Sequence, residues 1–246
     1  MSRYPPPRWL TDFVARVPDL PGESFSRFLP PAQGGRRASA VLVLFAPGVE
    51  DPDDPDGTTV ILTERAHTLR SHAGQPAFPG GGTEPGDRDL TATALREAHE
   101  EIDLDPSGVD VLTHLPTLHI PVSGYDVTPV LAWWRDPQPG RLWARDQREV
   151  ARVLQPSVAS LVEPSGRFQV GHPSGYVSPA WSVDGLLVWG FTAGVLDRIL
   201  DLAGVAQDWV RTIRRELPPE QLPAWMRPDP SGVSGPPAGP GPRAGP

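Results

Sequence analysis

Two blocks of β-like sequence flank a single acidic helix, and this order constrains the fold more than any other feature of the chain. SAVLVLFA (39–46) and TTVILTERA (58–66) read as strands, and the acidic, proline-containing GVEDPDDPDG between them reads as a hairpin loop. VDVLTHLPTLHI (109–120), YDVTPVLAWW (125–134) and REVARVLQP (148–156) are further strands, with a short helix or turn over 157–162. Residues 168–189 alternate short β-like runs with Gly and Pro. Between the two blocks, Leu95, Ala98 and Ile102 recur at helical spacing and mark the buried stripe of a helix over 90–102. Strands before and after one helix predict an α/β fold, a mixed sheet sandwiched between helices.

Two more helices are legible. Trp9, Phe13 and Val17 recur every four residues, which predicts a short helix packed on the domain within an N-terminal arm, 1–35. In FTAGVLDRILDLAG, Leu196, Ile199, Leu200 and Ala203 form an apolar stripe, with Thr192 as the expected N-cap and Gly204 at the C-terminal end. Past about residue 217 the chain is almost entirely Pro, Gly, Ser and Ala, too little apolar surface to offset ordering entropy. The expected organisation is therefore an arm (1–35), one domain (36–217) and a disordered tail (218–246).

Composition narrows the function classes. A net charge of -8 argues against a nucleic-acid-binding surface. With no cysteine, disulfides and thiolate chemistry are excluded. The opening MSRYPPPRWL lacks the apolar core of a signal peptide, no long apolar run occurs, and the final PRAGP is not a peroxisomal address. A cytoplasmic protein with no membrane partner is expected.

The acidic helix carries Glu97, Glu100 and Glu101 at i, i+3 and i+4, on one face. Like charges so placed repel by a few tenths of a kcal/mol per pair. Asp87 or Asp89 can cap the helix, and Arg96, four residues before Glu100, can pair with it. A solvated acidic face is the ordinary explanation of such a cluster. The glycines ahead of it point elsewhere: Phe78-Pro79-Gly80-Gly81-Gly82 permits close backbone approach that a normal helix entry does not need. A tight glycine loop delivering a carboxylate-dense helix suits a hard cation such as Mg²⁺ or Mn²⁺. His99, His114 and His119 lack the close ligand spacing of a zinc site. Trp133, Trp134, Trp181 and Trp189 are expected in the core or on a sheet face.

The run Arg96-Glu97-Ala98-His99-Glu100-Glu101-Ile102-Asp103-Leu104 resembles the second half of the Nudix hydrolase signature. Asp103 replaces the usual glycine, a mild departure because Asp tolerates the left-handed conformation. In the first half, Gly81 plus five residues reaches Asp87 rather than a glutamate, and eight residues rather than seven separate it from Arg96. Both departures resemble the coenzyme A diphosphatase branch. So does the upstream run Ile61-Leu62-Thr63-Glu64-Arg65-Ala66, then Arg70, Gly74 and Phe78-Pro79-Gly80-Gly81, with Ile61 in place of a leucine. The resemblance covers about residues 36 to 204.

The resemblance implies a Nudix-type α/β/α sandwich and metal-dependent hydrolysis of the coenzyme A diphosphate, giving 3′,5′-ADP and 4′-phosphopantetheine. Glu97, Glu100 and Glu101 would hold Mg²⁺ or Mn²⁺, with the main chain of Gly80, Gly81 and Gly82 shaping the site and Gly81 a possible ligand. Glu100 or Glu101 would be the general base, with Glu149 an alternative base or ligand. Arg96 would orient a glutamate. Arg65 and Arg70 would contact phosphate, and His72 lies within the branch motif, where a hydrogen-bonded structural role is favoured. A homodimer is expected by analogy. Two other readings stay open: a Nudix hydrolase of another nucleoside diphosphate such as ADP-ribose or an oxidised dNTP, and an inactive Nudix domain serving as a ligand-binding module.

Overall fold

The computed structural model describes residues 4–35, 37–48, 57–69, 72–137, 142–173 and 175–222. Most of the expected hairpin loop and of the expected tail lies outside them, as does Arg70.

Two long strands, β1 (Arg37–Ala46) and β8 (Tyr125–Trp134), form the spine of the central sheet. They run parallel, in register from Arg37↔Tyr125 to Phe45↔Trp133. Both carry near-continuous apolar runs because both of their faces are covered. The two-residue period sorts the side chains. Ala40, Leu42, Leu44, Val130 and Ala132 join a cluster with Ala94, Ala98 and Ile102 of α2 (Leu90–Ile102). Val43, Phe45, Leu131 and Trp133 join the opposite cluster, which takes Leu10 and Phe13 from α1 (Arg8–Arg16) and Leu196, Ile199 and Leu200 from α4 (Gly190–Leu202). A mixed sheet with helices on both faces is the expected α/β sandwich. The deepest line of α2 is Ala94, Ala98 and Ile102, with Leu95 only partly buried.

Two sequence runs that looked like single strands each split. The first begins as β2 (Thr59–Val60), antiparallel to the far end of β1. Ile61 N–H still donates to Leu44 O (2.9 Å), and then β3 (Leu62–Arg65) departs into a second sheet between β4 (Pro76–Ala77) and β9 (Val150–Leu154). The second divides into β6 (Val109–His114) and β7 (Leu118–Ile120), both antiparallel to β8. Between them Leu115 N–H donates to Pro129 O, which keeps the interrupted run on the same partner. The glycine triplet is itself a strand, β5 (Gly80–Gly82), antiparallel to Ser39–Val41.

After α3 (Val158–Val162), a third sheet is ordered β12 (Leu186–Val188), β11 (Val177–Val183), β10 (Arg167–Gly171), β13 (Arg214–Glu216). Leu217 and Leu222 close its cluster against Phe168, Val170 and Ala180, so packed chain continues to residue 222. Arg167, 2% exposed, pairs with Asp197 of α4, and its guanidinium lies over the rings of Trp181 and Trp209. Trp133, Trp134 and Trp181 are buried and Trp189 packs partly buried on the third cluster.

Thr192 is not the N-cap of α4; Trp189 is. Gly190 takes φ +66° and its N–H donates to Ser178 Oγ, which turns the chain out of β12 and starts the helix early. Thr192 then falls inside the first turn, buried, and its hydroxyl donates to Pro76 O.

Candidate active site

The three glycines ahead of α2 answer three different demands. Gly80 has φ +153°, and a Cβ there would meet Ala40 O at 2.4 Å. A Cβ on Gly81 would meet the Glu97 carboxylate at 2.4 to 2.7 Å. At Gly82 a Cβ would meet nothing within 4 Å, and its carbonyl accepts from Arg96 Nη2 (3.0 Å). Close strand pairing and close carboxylate approach therefore require glycine at the first two positions only.

Arg96 binds the loop to the helix. Its Nε and Nη2 donate to Asp87 Oδ1 and Oδ2, each at 3.0 Å, a bidentate fork. Its Nη1 donates to Glu97 Oε1 (3.0 Å) and Glu100 Oε2 (3.3 Å). The pairing with Glu100 expected from sequence is present, but Asp87 is the main partner. The Arg96 guanidinium and the Glu84 N–H hold the Asp87 carboxyl far below the usual carboxylate range. Helix capping falls instead to Asp89, whose side chain accepts from Ala92 N (2.7 Å).

The three glutamates separate by environment. Glu101 is 4% exposed, and its Oε2 accepts from Gly80 N–H (3.1 Å). Burial pushes its pKa up to about 8, reinforced by Glu97 and Glu149, while the Gly80 N–H and the Arg65 guanidinium pull it down. Glu97, one helical turn earlier, is also raised, by burial first and then by Glu100 and Glu149, against the opposing hydrogen bond from Arg96. Glu100 points outward, its side chain 56% exposed. Glu149, an exposed residue in the turn just before β9, comes within electrostatic reach of both Glu97 and Glu101. Glu97 and Glu149 thus act electrostatically on the buried Glu101, while Glu100 stays largely in solvent.

Arg65 lies close enough to Glu101 to act on its charge, and its Nε is buried without a hydrogen-bond partner. His72 is exposed and sits at φ +57° with Nδ1 2.9 Å from Gln75 Oε1, a local hydrogen bond rather than a contact with the carboxylates. Asp103 caps α2 in the left-handed conformation (φ 57°, ψ 28°), the role of the glycine it replaces. Its carboxylate also accepts from Trp143 Nε1 (3.2 Å) and pairs with Arg145 (3.5 Å). Arg145 N–H donates to Glu101 O (2.9 Å), bracing the last turn of the helix. Sequence alone did not single out Arg145, because nothing local marks a residue forty positions away as a brace. His99 bonds Leu104 O and faces Arg145, His114 meets Thr91, and His119 pairs with Asp126, so the three histidines do not converge.

The donor set is all oxygen and partly desolvated, which fits a hard divalent cation. A buried carboxylate whose proton affinity is raised by burial and by like charge is a place where positive charge is stabilising. As the side chains stand, no three acids or histidines among the described residues enclose a single point. Glu97, Glu100 and Glu101, with the Gly81 main chain and Glu149 as an alternative, are the groups that would hold such an ion. When bound it would offset diphosphate charge and lower the pKa of a water.

The NUDIX domain model matches residues 36–170. A Nudix hydrolase NudL of Cronobacter sakazakii is 38% identical over 165 residues, which covers 65% of this chain and 80% of that protein. NudL of Salmonella paratyphi B is 36% identical over 178 residues, covering 69% and 84%. The crystal structure of a Nudix hydrolase from M. smegmatis, RenU, has 20% identity and a TM-score of 0.46, over 76% of this chain and 99% of that one. The chain belongs to the Nudix family of hydrolases, enzymes that cleave diphosphates of the nucleoside type and generally use Mg²⁺ or Mn²⁺. No helix among the described residues is long and apolar enough to cross a membrane.

Proposed function

We propose that this enzyme hydrolyses the diphosphate of coenzyme A or a derivative, releasing 3′,5′-ADP and 4′-phosphopantetheine or its acylated form. One observation carries the reading. The run from Ile61 to Arg65 leads, through Gly74, directly into Phe78-Pro79-Gly80-Gly81, and brings Arg65 within electrostatic reach of Glu101. A cation placed against the buried carboxylates suits a substrate that presents a diphosphate there.

In this reading Glu97, Glu100 and Glu101, with the Gly81 main chain, hold Mg²⁺ or Mn²⁺, and Glu149 is an alternative ligand. Arg96 orients Glu97 and does not touch substrate. Arg65 and Arg70 meet phosphate oxygens, Gly80 and Gly82 shape the floor, and His72 has a local structural role. Glu100 or Glu101 supplies the general base, with Glu149 an alternative, and Gly80 N–H holds the Glu101 carboxylate in place. Asp87 serves the site through Arg96.

The test is a turnover panel of coenzyme A, acyl-coenzyme A, ADP-ribose and an oxidised dNTP, each with Mg²⁺, Mn²⁺ or EDTA. Coenzyme A is expected to be cleaved fastest, and EDTA to abolish cleavage. Faster cleavage of ADP-ribose or the dNTP would move the enzyme to another branch. Absence of turnover on all four would favour the binding-module alternative.

A further inference from the structure

Arg65 lies within electrostatic reach of Glu101, and its strand neighbour Glu64 falls on the opposite side of β3. Glu64 occupies a variable position of the upstream motif, yet its side chain is only 6% exposed. Its Oε1 lies 2.9 Å from Nε2 of His67, and its Oε2 accepts from Nε of Arg152 on β9. Arg152 Nη2 in turn donates to Asp184 O (3.1 Å), in the turn between β11 and β12. The clasp therefore joins β3, β9 and the third sheet through a single carboxylate.

Two further features place this clasp under the loop that follows Arg65. The loop closes on Arg65 itself: Arg65 N–H donates to Gln75 O (3.1 Å), and Gly74 N–H donates to Arg65 O (3.0 Å). The His67 ring lies in the space that a Cβ on Gly74 would need, 2.9 Å from its Cε1, and Gly74 has φ +68°. The β3–β9 register also shifts between Glu64 and Arg65, where Glu64↔Arg152 is followed by Arg65↔Val150. The extra residue is Ala151 on β9, so β3 itself keeps its regular alternation through Glu64 and Arg65. Successive strand residues point to opposite faces, so fixing Glu64 on one face fixes Arg65 on the other.

We propose that His67 is a positioning residue: through Glu64, and by packing on Gly74, whose N–H donates to Arg65 O, it holds the end of β3 that presents Arg65 to the diphosphate. The inference rests on a diphosphate binding beside Glu101, and not on that diphosphate belonging to coenzyme A. His67 itself is mostly exposed, its side chain at 72%, so its loss spares the core.

The experiment is a double-mutant cycle on the full chain, read by calorimetric binding of inorganic pyrophosphate in excess Mg²⁺. Arg65→Ala is expected to weaken binding by about tenfold or more, the scale of a lost charge-assisted contact. His67→Ala alone is expected to weaken it by about fivefold, and to change affinity by less than about twofold in the Arg65→Ala background, the signature of coupled neighbours. His67→Gln, which can still donate to Glu64, is expected to restore most of the loss, with the melting temperature unchanged throughout. Three results each overturn the proposal: no effect of Arg65→Ala, no effect of His67→Ala, or an equal effect of His67→Ala with and without Arg65. Because the probe is pyrophosphate, failure of coenzyme A turnover would sink the substrate proposal and leave this test standing.

Discussion

Arg96 grips Asp87 rather than Glu100 as its principal partner, with two parallel hydrogen bonds of 3.0 Å across the eight residues between them. That fork fixes the entry loop to the helix, and the rest of the guanidinium then steadies Glu97 and the Gly82 carbonyl. The acid at position 87 is a structural anchor for Arg96 and, through it, for Glu97.

The anchor sets an acid dependence. The folded Asp87 carboxyl is held below its unfolded value, so its contribution to stability is complete above the unfolded pKa of about 3.9 and is lost as pH falls below that. Asp87→Asn removes the linkage. The stability difference between parent and variant, followed by urea midpoints from pH 6 to pH 2, is expected to shrink as pH falls. A constant difference would place the role of Asp87 outside this ion pair.

Glu101 has the opposite sign. Its folded pKa of about 8 lies above its unfolded value, so without metal it costs stability increasingly as pH rises from about 4.5 to about 8, then levels off. Metal-free Glu101→Gln is therefore expected to gain on the parent across that window, measured as melting temperature against pH. Mg²⁺ should raise the melting temperature of the parent more than that of the variant. Turnover should fall by at least about 100-fold, the scale of general-base and metal effects.

The glycines separate by their neighbours. Gly81→Ala drives a methyl into the Glu97 carboxylate and is expected to cost about 100-fold in kcat/KM, the scale of a misplaced catalytic group. Gly82→Ala meets open space and should keep the parent's melting temperature and remain within about threefold in kcat/KM, since surface changes away from special features cost little. Equal losses at both positions would show that loop flexibility, not the Glu97 contact, is what matters.

The N-terminal helix is part of the core. Phe13 is fully buried in the cluster shared with β1, β8 and α4. Phe13→Ala should destabilise the protein by about 3 to 5 kcal/mol in denaturant titration. A change below about 1 kcal/mol, typical of surface positions, would make α1 an appendage.

Much of this protein is legible along the chain because the signals are local. Continuous apolar runs mark β1 and β8, period-3.6 spacing marks α2 and α4, and the acidic run Arg96–Leu104 marks the family. Even the left-handed cap at Asp103 followed from the residue type. Tertiary structure decided which sheet each half of 58–66 joins, where α4 begins, and how unlike the three glutamates are. Helical spacing puts Glu97, Glu100 and Glu101 on one side, but it does not say that Gly80 and β1 bury Glu101 while Glu100 remains in water. Burial, desolvation and the reach of Glu149, Arg65 and Arg145 depend on which distant segments pack beside the helix, and those neighbours are chosen by long-range contacts that no local pattern encodes.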